Sequence, residues 1–155
     1  MYHFKHASAA DTDVIRHIFQ ESILSIPSHY YTASQLLQWA AVFNNTAYWQ
    51  QLLETQTCIL CLQNTTPIGY ITLAKNGFID HLYVTALFQR KGLGTALIQQ
   101  VEAYAKTKSI QLLETDASLI ATPLFKKMGY QLVREYEKHF NGEVYTNSIL
   151  KKQIT

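Results

Sequence analysis

A β-prone run that passes through a glycine-containing loop into a helical pattern constrains the fold of this 155-residue chain more than any other feature. Ile79–Val84 is the run, Gln89–Thr95 forms the loop and first helical turn, and helical spacing of apolar residues continues to Lys106. A helix N-terminus leaves backbone N–H groups free and carries the positive end of the helix dipole. The two glycines of the loop give oxygen atoms access to these donors, and Arg90 and Lys91 add positive charge. The segment therefore predicts a site for a phosphate-bearing ligand.

Two common phosphate-binding motifs are excluded by the spacing of this loop. The dinucleotide fingerprint needs a third glycine where the sequence has Leu97. The nucleoside-triphosphate loop needs Gly-Lys followed by Ser or Thr, and that tripeptide is absent from the sequence.

The periodicity along the rest of the chain predicts one α/β (α+β) domain over residues 1–155. A mixed central sheet of about six to seven strands is expected, flanked by helices. Asn141-Gly142 between two apolar runs predicts a hairpin. The first expected helix is capped by Ser8 or Asp11 and runs to about residue 25; the others are 34–43, 46–54, 92–106 and 118–128. The expected strands are 57–63, 68–74, 77–84, 110–115, 130–139 and 143–150.

Charge and composition exclude several classes of partner and ligand. The net charge of +2 is too small for generic nucleic-acid binding, although residues 75–155 carry eleven Lys or Arg against seven Asp or Glu. No run of about 18 apolar residues predicts a membrane span, so a cytoplasmic protein is expected. Cys58 and Cys61 lie on one predicted strand with their thiols on opposite faces, so no metal site is expected.

The loop and a later segment together resemble one family. Gln89-Arg90-Lys91-Gly92-Leu93-Gly94 resembles the Gln/Arg-x-x-Gly-x-Gly/Ala signature with which the GNAT N-acetyltransferase superfamily binds the pyrophosphate of acetyl-CoA. Residues 116–130 resemble its late helix, and the element order agrees along nearly the whole chain. The resemblance implies an acetyl-CoA-dependent N-acetyltransferase with a V-shaped split between its fourth and fifth strands.

The resemblance also implies which residues contact the cofactor. The backbone of Leu82 and Val84, on the strand that also carries Tyr83, would pair with the pantetheine arm as an added strand. A bulge in this strand would separate it from the next strand and open the V-shaped cleft. The pyrophosphate would be held by the loop. Ser118 stands where the family often has an Asn that contacts the arm. The loop residues implied in pyrophosphate binding are Gln89, Arg90, Lys91, Gly92, Leu93, Gly94 and Thr95.

One position departs from the family pattern. Phe125 stands where the family often has a Tyr that protonates the leaving thiolate, and a phenyl ring donates no proton. Phe125 is still expected to pack against the cofactor arm. Tyr83, Tyr136 and Tyr145 are alternative proton donors, and spacing does not choose among them.

Transfer to an amine also needs a group that removes a proton from the attacking nitrogen. Asp80 and His81 lie on the strand that should line the cleft. Asp80 is favoured because it alternates with Leu82 and Val84, which places the three side chains on one face of a regular strand.

The acceptor pocket is expected among the N-terminal helices, with Tyr30, Tyr31 and Trp39 as its candidate residues. The acceptor is expected to be a primary amine of a small molecule or peptide, and the scarcity of charge in this region disfavours a polyamine. A non-catalytic acyl-CoA-binding module and an interaction module without a cofactor are the alternatives. Monomer and homodimer both stay open.

Overall fold

Seven strands form one mixed sheet in the computed structural model, which describes residues 1–155. The strand order is β1-β2-β3-β4-β5-β7-β6, and every neighbouring pair is antiparallel except β4 and β5. This confirms the predicted mixed sheet. The strands are β1 Tyr2–His6, β2 Gln56–Gln63, β3 Thr66–Ala74, β4 Phe78–Val84, β5 Leu112–Ser118, β6 Gln131–Phe140 and β7 Glu143–Gln153.

Five α-helices cover the two faces of the sheet. Buried residues of α1, α2 and α3 pack on one face, whereas those of α4 and α5 pack on the other. Cys58 belongs to the apolar cluster under α1–α3 and Cys61 to the cluster under α4 and α5, so the two thiols lie on opposite faces as predicted. No helix has the length and apolar character needed to cross a membrane. The helices are α1 Thr12–Leu24, α2 Ala33–Ala40, α3 Thr46–Thr55, α4 Leu93–Thr107 and α5 Thr122–Lys127.

Strand β1 was not predicted, because the N-terminal region was expected to be helical. Tyr2–His6 pairs antiparallel with β2 at the edge of the sheet. Of its five residues, Phe4 packs against an apolar cluster of the sheet. So short an edge strand, with one half-buried apolar residue, leaves no periodic signal in the sequence.

The predicted helix 118–128 begins too early. Residue 118 is the last residue of β5, and α5 begins only at Thr122. Ser118 therefore stands at the end of a strand rather than at the start of a helix.

The parallel pair β4–β5 separates after two residues. Phe78 and Ile79 pair with Glu114 and Thr115, and the Thr115 Oγ1 donates a hydrogen bond of 2.9 Å to the Ile79 carbonyl. No further residues of the two strands pair. This confirms the predicted V-shaped split between the fourth and fifth strands.

A bulge interrupts β4 beside this split. Ile71 faces Leu82 but Leu73 faces Ile79, so Thr72 lies opposite the two residues between them. The His81 N–H donates to the Thr72 Oγ1 at 3.0 Å. The extra residue interrupts the alternation of the strand.

The bulge overturns the predicted alternation of Asp80 with Leu82. Ile79 and Leu82 both pack on the α4 face. Asp80 instead accepts a hydrogen bond from the Gln56 side chain. Gln56 and Cys58 alternate along β2 and so lie on one face of the sheet, which is the α1–α3 face because Cys58 packs there. Asp80 and His81 therefore share the α1–α3 face, because one extra residue resets the alternation.

Candidate active site

A cavity of about 520 Å³ lies at the gap between β4 and β5, lined by residues from both faces of the sheet, with most of its aromatic residues on the α1–α3 face. Its lining is mostly apolar. Aromatic rings dominate the wall formed by the N-terminal helices and the final hairpin. The aromatic residues that line it include Phe19, Tyr31, Trp39, Tyr48, Tyr83, Phe140 and Tyr145.

Three charged side chains line this cavity: Asp80, Asp116 and Lys138. None of them takes part in a salt bridge. The Asp116 carboxylate accepts hydrogen bonds from the Tyr136 hydroxyl and from the Asn147 Nδ2, the latter at 3.0 Å. Asp116 and Lys138 were not predicted as site residues, because strands distant in sequence bring them to the cavity.

His81 is buried and hydrogen-bonded through both ring nitrogens. The Tyr48 oxygen lies 2.6 Å from its Nε2, and the Tyr70 oxygen lies 2.8 Å from its Nδ1. Burial lowers the pKa of His81 to about 4, with the Asp80 carboxylate opposing this shift and Lys138 adding to it. The ring is therefore neutral at pH 7.

The hydrogen bonds also assign the tautomer of His81. Tyr70 is completely buried, and His81 is the only hydrogen-bond partner of its hydroxyl. A buried hydroxyl with one partner donates to it, so Nδ1 is the acceptor and Nε2–H donates to the Tyr48 oxygen. His81 then presents no free lone pair to the cavity.

Asp80 is exposed at the cavity and is held from one side only. Its Oδ2 accepts a hydrogen bond of 2.9 Å from the Gln56 Nε2. Its remaining lone pairs are open to a ligand or to water.

The loop before α4 presents a row of unpaired backbone donors. The N–H groups of residues 90–95 donate to no protein acceptor. Gln89 differs from the prediction, since its N–H donates to the Ala86 carbonyl at 3.3 Å. Its side chain instead ties the loop to β4, through a 2.9 Å bond from Nε2 to the Val84 carbonyl. Six consecutive free donors at the start of α4 form an anion-binding surface.

The two loop glycines, Gly92 and Gly94, have different structural roles. Gly92 has a φ of +84°, and a Cβ built on it would meet no atom within 4 Å, so the space above the free N–H groups is open. A Cβ on Gly94 would lie 2.7 Å from the Leu124 Cδ2. Gly92 thus supplies a left-handed turn, and Gly94 allows α4 to approach α5.

The free edge of β4 lies beside this loop. The N–H groups of His81 and Thr85 both point toward β3, where they donate hydrogen bonds. Backbone direction alternates along a strand, so the N–H groups of Leu82 and Val84 point toward the gap. An extended ligand chain can add to this edge.

The remaining predicted residues divide between the cavity wall and other positions. Ser118 and Phe125 line the cavity, and the Phe125 ring packs edge-on against Tyr130 at 5.1 Å between centroids. Tyr31 and Trp39 also line it, whereas Tyr30 is 40% exposed and lies outside it.

Two of the predicted proton donors have engaged hydroxyl groups. Tyr145 donates to the Gln35 carbonyl at 2.7 Å, and Tyr136 donates to the Asp116 carboxylate. Tyr83 lines the cavity, and burial raises its pKa.

The model of the acetyltransferase (GNAT) domain family matches residues 28–151, which include the loop, the split strands and most of the cavity wall. The chain belongs to the GNAT acetyltransferase family. This confirms the resemblance predicted from the loop motif, and it makes the protein an N-acetyltransferase with acetyl-CoA as its cofactor.

Individual relatives of this GNAT protein agree in sequence and in fold. It is 27% identical over 134 residues to the uncharacterised N-acetyltransferase YafP of Escherichia coli, covering 86% of this chain and 84% of YafP. A GCN5-related N-acetyltransferase (aminotransferase, class II) from Rhodopseudomonas palustris superposes with a TM-score of 0.92 at 27% identity, covering 97% and 94%. The PaiA N-acetyltransferase of Thermoplasma acidophilum, solved with coenzyme A, gives a TM-score of 0.74 at 17% identity, covering 99% of both chains.

Proposed function

We propose that this GNAT protein transfers the acetyl group of acetyl-CoA directly to the primary amine of a small molecule with an apolar or aromatic body. The observation that carries the proposal is the aromatic cavity that opens at the β4–β5 gap, beside six free N–H groups. The aromatic cavity suits the acceptor, and the free N–H groups suit a phosphate-bearing donor.

The residues of the loop and gap fit the cofactor. Arg90–Thr95 would hold the pyrophosphate through free N–H groups, and Leu82 and Val84 would pair with the amide groups of the pantetheine arm. Ser118 and Phe125 would contact the arm from the other side of the gap. The bound cofactor supplies a thioester whose carbonyl carbon accepts the amine.

The acceptor class follows from the lining of the cavity. Aromatic rings offer large apolar area and favourable faces for a cation. Asp80 and Asp116 attract an ammonium group, while Lys138 reduces the local excess of negative charge to one unit. A small amine with a hydrophobic body satisfies this lining better than a polyamine or a basic peptide.

Asp80 is our proposed base for the amine. It lines the cavity on the α1–α3 face and keeps lone pairs free. His81 offers none, because Nδ1 accepts from Tyr70 and Nε2 carries the proton that is given to Tyr48. The proton therefore leaves the amine through Asp80 or through water that Asp80 binds.

Direct transfer is favoured over a cysteine-bound intermediate. Cys58 and Cys61 are buried and do not line the cavity. Burial raises the pKa of Cys58 to about 12 and also raises that of Cys61, which keeps both thiols protonated. The cytoplasmic location and the choice between monomer and homodimer stay predictions.

Calorimetric titration with acetyl-CoA and with CoA tests the donor site, using Gly92→Val and Gly142→Val as a matched pair. Both glycines have positive φ and open space around the Cβ position. Both variants therefore carry a similar backbone strain, but only Gly92→Val places a side chain over the free N–H groups. We expect binding to be lost in Gly92→Val and kept in Gly142→Val. Equal affinities in the two variants would contradict the assignment of the loop.

An amine screen that measures thiol release then separates the proposed function from its alternatives. Release of CoA with small aromatic or apolar amines would support the transferase. Binding without release for any amine would favour an acyl-CoA-binding module, and no binding at all would favour an interaction module.

A further inference from the structure

Asp116 and Asn147 form a fixed polar pair in the wall of the cavity. Asp116 lies on β5 and Asn147 on β7, and the Asn147 Nδ2 donates to the Asp116 Oδ1 at 3.0 Å. The Tyr136 hydroxyl, from β6, donates to the other carboxylate oxygen, Oδ2. Side chains of three neighbouring strands therefore fix the direction of this carboxylate, which takes part in no salt bridge.

The amide oxygen of Asn147 is an open acceptor in this pair. Asn147 is only 7% exposed, yet its Oδ1 makes no hydrogen bond within the protein and keeps accessible surface at the cavity. The Asp116 carboxylate fixes the orientation of the amide, because only the nitrogen of the amide can donate to it. Buried polar atoms are rarely left without a partner, so this oxygen calls for a donor from a bound molecule.

The charges of the cavity decide which kind of donor fits the Asp116–Asn147 pair. Two carboxylates and the Lys138 ammonium leave the lining with one negative charge, which one ammonium group of the acceptor balances. Asp80, the proposed base, takes that group because its lone pairs are open. A second ammonium at Asp116 would leave an excess of positive charge in a mostly apolar cavity, and a carboxylate would face the negative charge of Asp116. The pair therefore fits a neutral donor, a hydroxyl group.

Asp80 and Asp116 stand on opposite sides of the mouth of the gap. The last paired residues of the two parallel strands are Ile79 and Thr115, and the two aspartates come next along the chain. Asp116 alternates with Ala117, which packs on the α4 face, so Asp116 shares the α1–α3 face with Asp80. Paired strands lie about 4.8 Å apart, and β4 and β5 diverge from this point. A small molecule that reaches both carboxylates thus carries its amine and its hydroxyl group on adjacent carbon atoms or one carbon further apart.

We infer that the acceptor is an amino alcohol, whose hydroxyl group donates to the Asp116–Asn147 pair while its amine is acetylated beside Asp80. The inference rests on the proposed function and adds a second functional group to the substrate. The nitrogen forms a bond to the thioester carbonyl carbon, and the carbon–sulfur bond breaks with its electron pair on sulfur. The ammonium loses two protons through Asp80 and water, of which one ends on the sulfur and one in solvent. The hydroxyl group is unchanged by the reaction, so Asp116 and Asn147 determine specificity.

Matched pairs of amines test the hydroxyl group directly. Phenethylamine is compared with its β-hydroxy derivative, and 3-phenylpropylamine with its γ-hydroxy derivative, so that each pair differs by one hydroxyl group. We expect kcat/KM to be roughly 10-fold or more higher for at least one amino alcohol than for its parent, as for a hydrogen bond to a charged group, with most of the difference in KM. Equal or lower values for both amino alcohols would overturn the inference.

Asp116→Asn and Asn147→Leu show whether the pair carries this preference, with Glu114→Gln as the matched control. Glu114 also lies on β5, but its carboxylate forms a salt bridge of 3.3 Å with Lys151 outside the cavity. The preference for the hydroxyl group should fall roughly threefold or more in each of the two variants and persist in Glu114→Gln. Because it is a ratio between two substrates of one variant, a general loss of activity cancels. An unchanged ratio in either Asp116→Asn or Asn147→Leu would contradict the inference.

Calorimetric binding of the same amines to the CoA complex separates the inference from the proposed function. No transfer occurs with CoA in place of acetyl-CoA, and at least one amino alcohol should still bind roughly 10-fold or more tightly than its parent. If the wild type acetylates no amine, the proposed function fails, and this binding preference alone decides the inference. Equal Kd values within both pairs, or no binding of either amino alcohol, would show that the inference is wrong. Tighter binding of the corresponding diamines would assign a second cation to Asp116 and would also overturn it.

Discussion

At the scale of single residues, the site depends on polar groups that are buried in unusual states. His81 lies under the cavity with a phenol on each ring nitrogen, which fixes its tautomer and removes its basicity. The arrangement orients the Tyr48 oxygen and keeps a positive charge away from the aromatic wall. A histidine in this state contributes order to the site and makes the protein sensitive to acid.

The free energy of unfolding should therefore decrease as the pH falls, because the buried His81 resists protonation. Its pKa is about 4 in the folded chain, below the roughly 6.5 expected when unfolded, so the unfolded chain binds the additional proton between these values. Stability is fully present above pH 6.5 and is lost as pH falls toward 4, by roughly 2 kcal/mol at pH 5. Urea denaturation of the wild type and of His81→Gln at pH 7.5 and pH 5 measures this difference.

The exposed His29 provides the control for this measurement. His29→Gln should lose the same stability between the two pH values as the wild type does, whereas His81→Gln should lose less. Identical pH dependence in all three proteins would show that His81 titrates normally.

At the scale of elements, the bulge in β4 organises the site. It places Asp80 and His81 on the α1–α3 face while Leu82 stays on the α4 face. Thr72 holds the bulge, since its Oγ1 accepts the His81 N–H and the residue is fully buried.

Replacement of Thr72 by valine should destabilise the bulge. The change keeps the shape of the side chain but leaves the buried His81 N–H without an acceptor, which is unfavourable by roughly 1–3 kcal/mol. Thr72→Ser keeps the oxygen and loses one methyl group. Amide hydrogen exchange at His81 should accelerate in Thr72→Val and stay slow in Thr72→Ser. Equal protection in both variants would show that the hydroxyl does not hold the bulge.

The loop before α4 and the bulge in β4 differ in how far the sequence alone predicts them. The loop before α4 was predictable because strand, glycines, charges and helix are contiguous. The family resemblance implied a bulge in this strand, but the sequence did not give its position, since one extra residue leaves the composition of β4 unchanged and is defined only by its register with β3. Tyr48, Tyr70 and Asp116 escaped prediction for a related reason: their partners lie on other elements.

At the scale of the whole molecule, charge is divided along the chain in a way that suits two substrates. Residues 75–155 carry an excess of positive charge and include the loop before α4, whereas Lys5 and Arg16 are the only Lys or Arg residues among the first 74. The N-terminal helices supply a nearly uncharged aromatic wall. The sheet thus presents an apolar aromatic face next to a positively charged edge, which suits the acceptor and the donor that we propose.

This division predicts that salt weakens CoA binding through the loop. Arg90→Ala combined with Lys91→Ala should reduce CoA affinity roughly 3- to 30-fold at low salt, as expected for the loss of two exposed ion pairs. The difference should disappear near 1 M NaCl, where the screening length is only about 3 Å. Lys106→Ala combined with Lys108→Ala removes the same charge at the far end of α4, about 20 Å away, and should leave the affinity nearly unchanged. Calorimetry at several salt concentrations measures all three proteins. A deficit of the loop variant that persisted at high salt would show that the two side chains bind CoA by shape or packing rather than by charge.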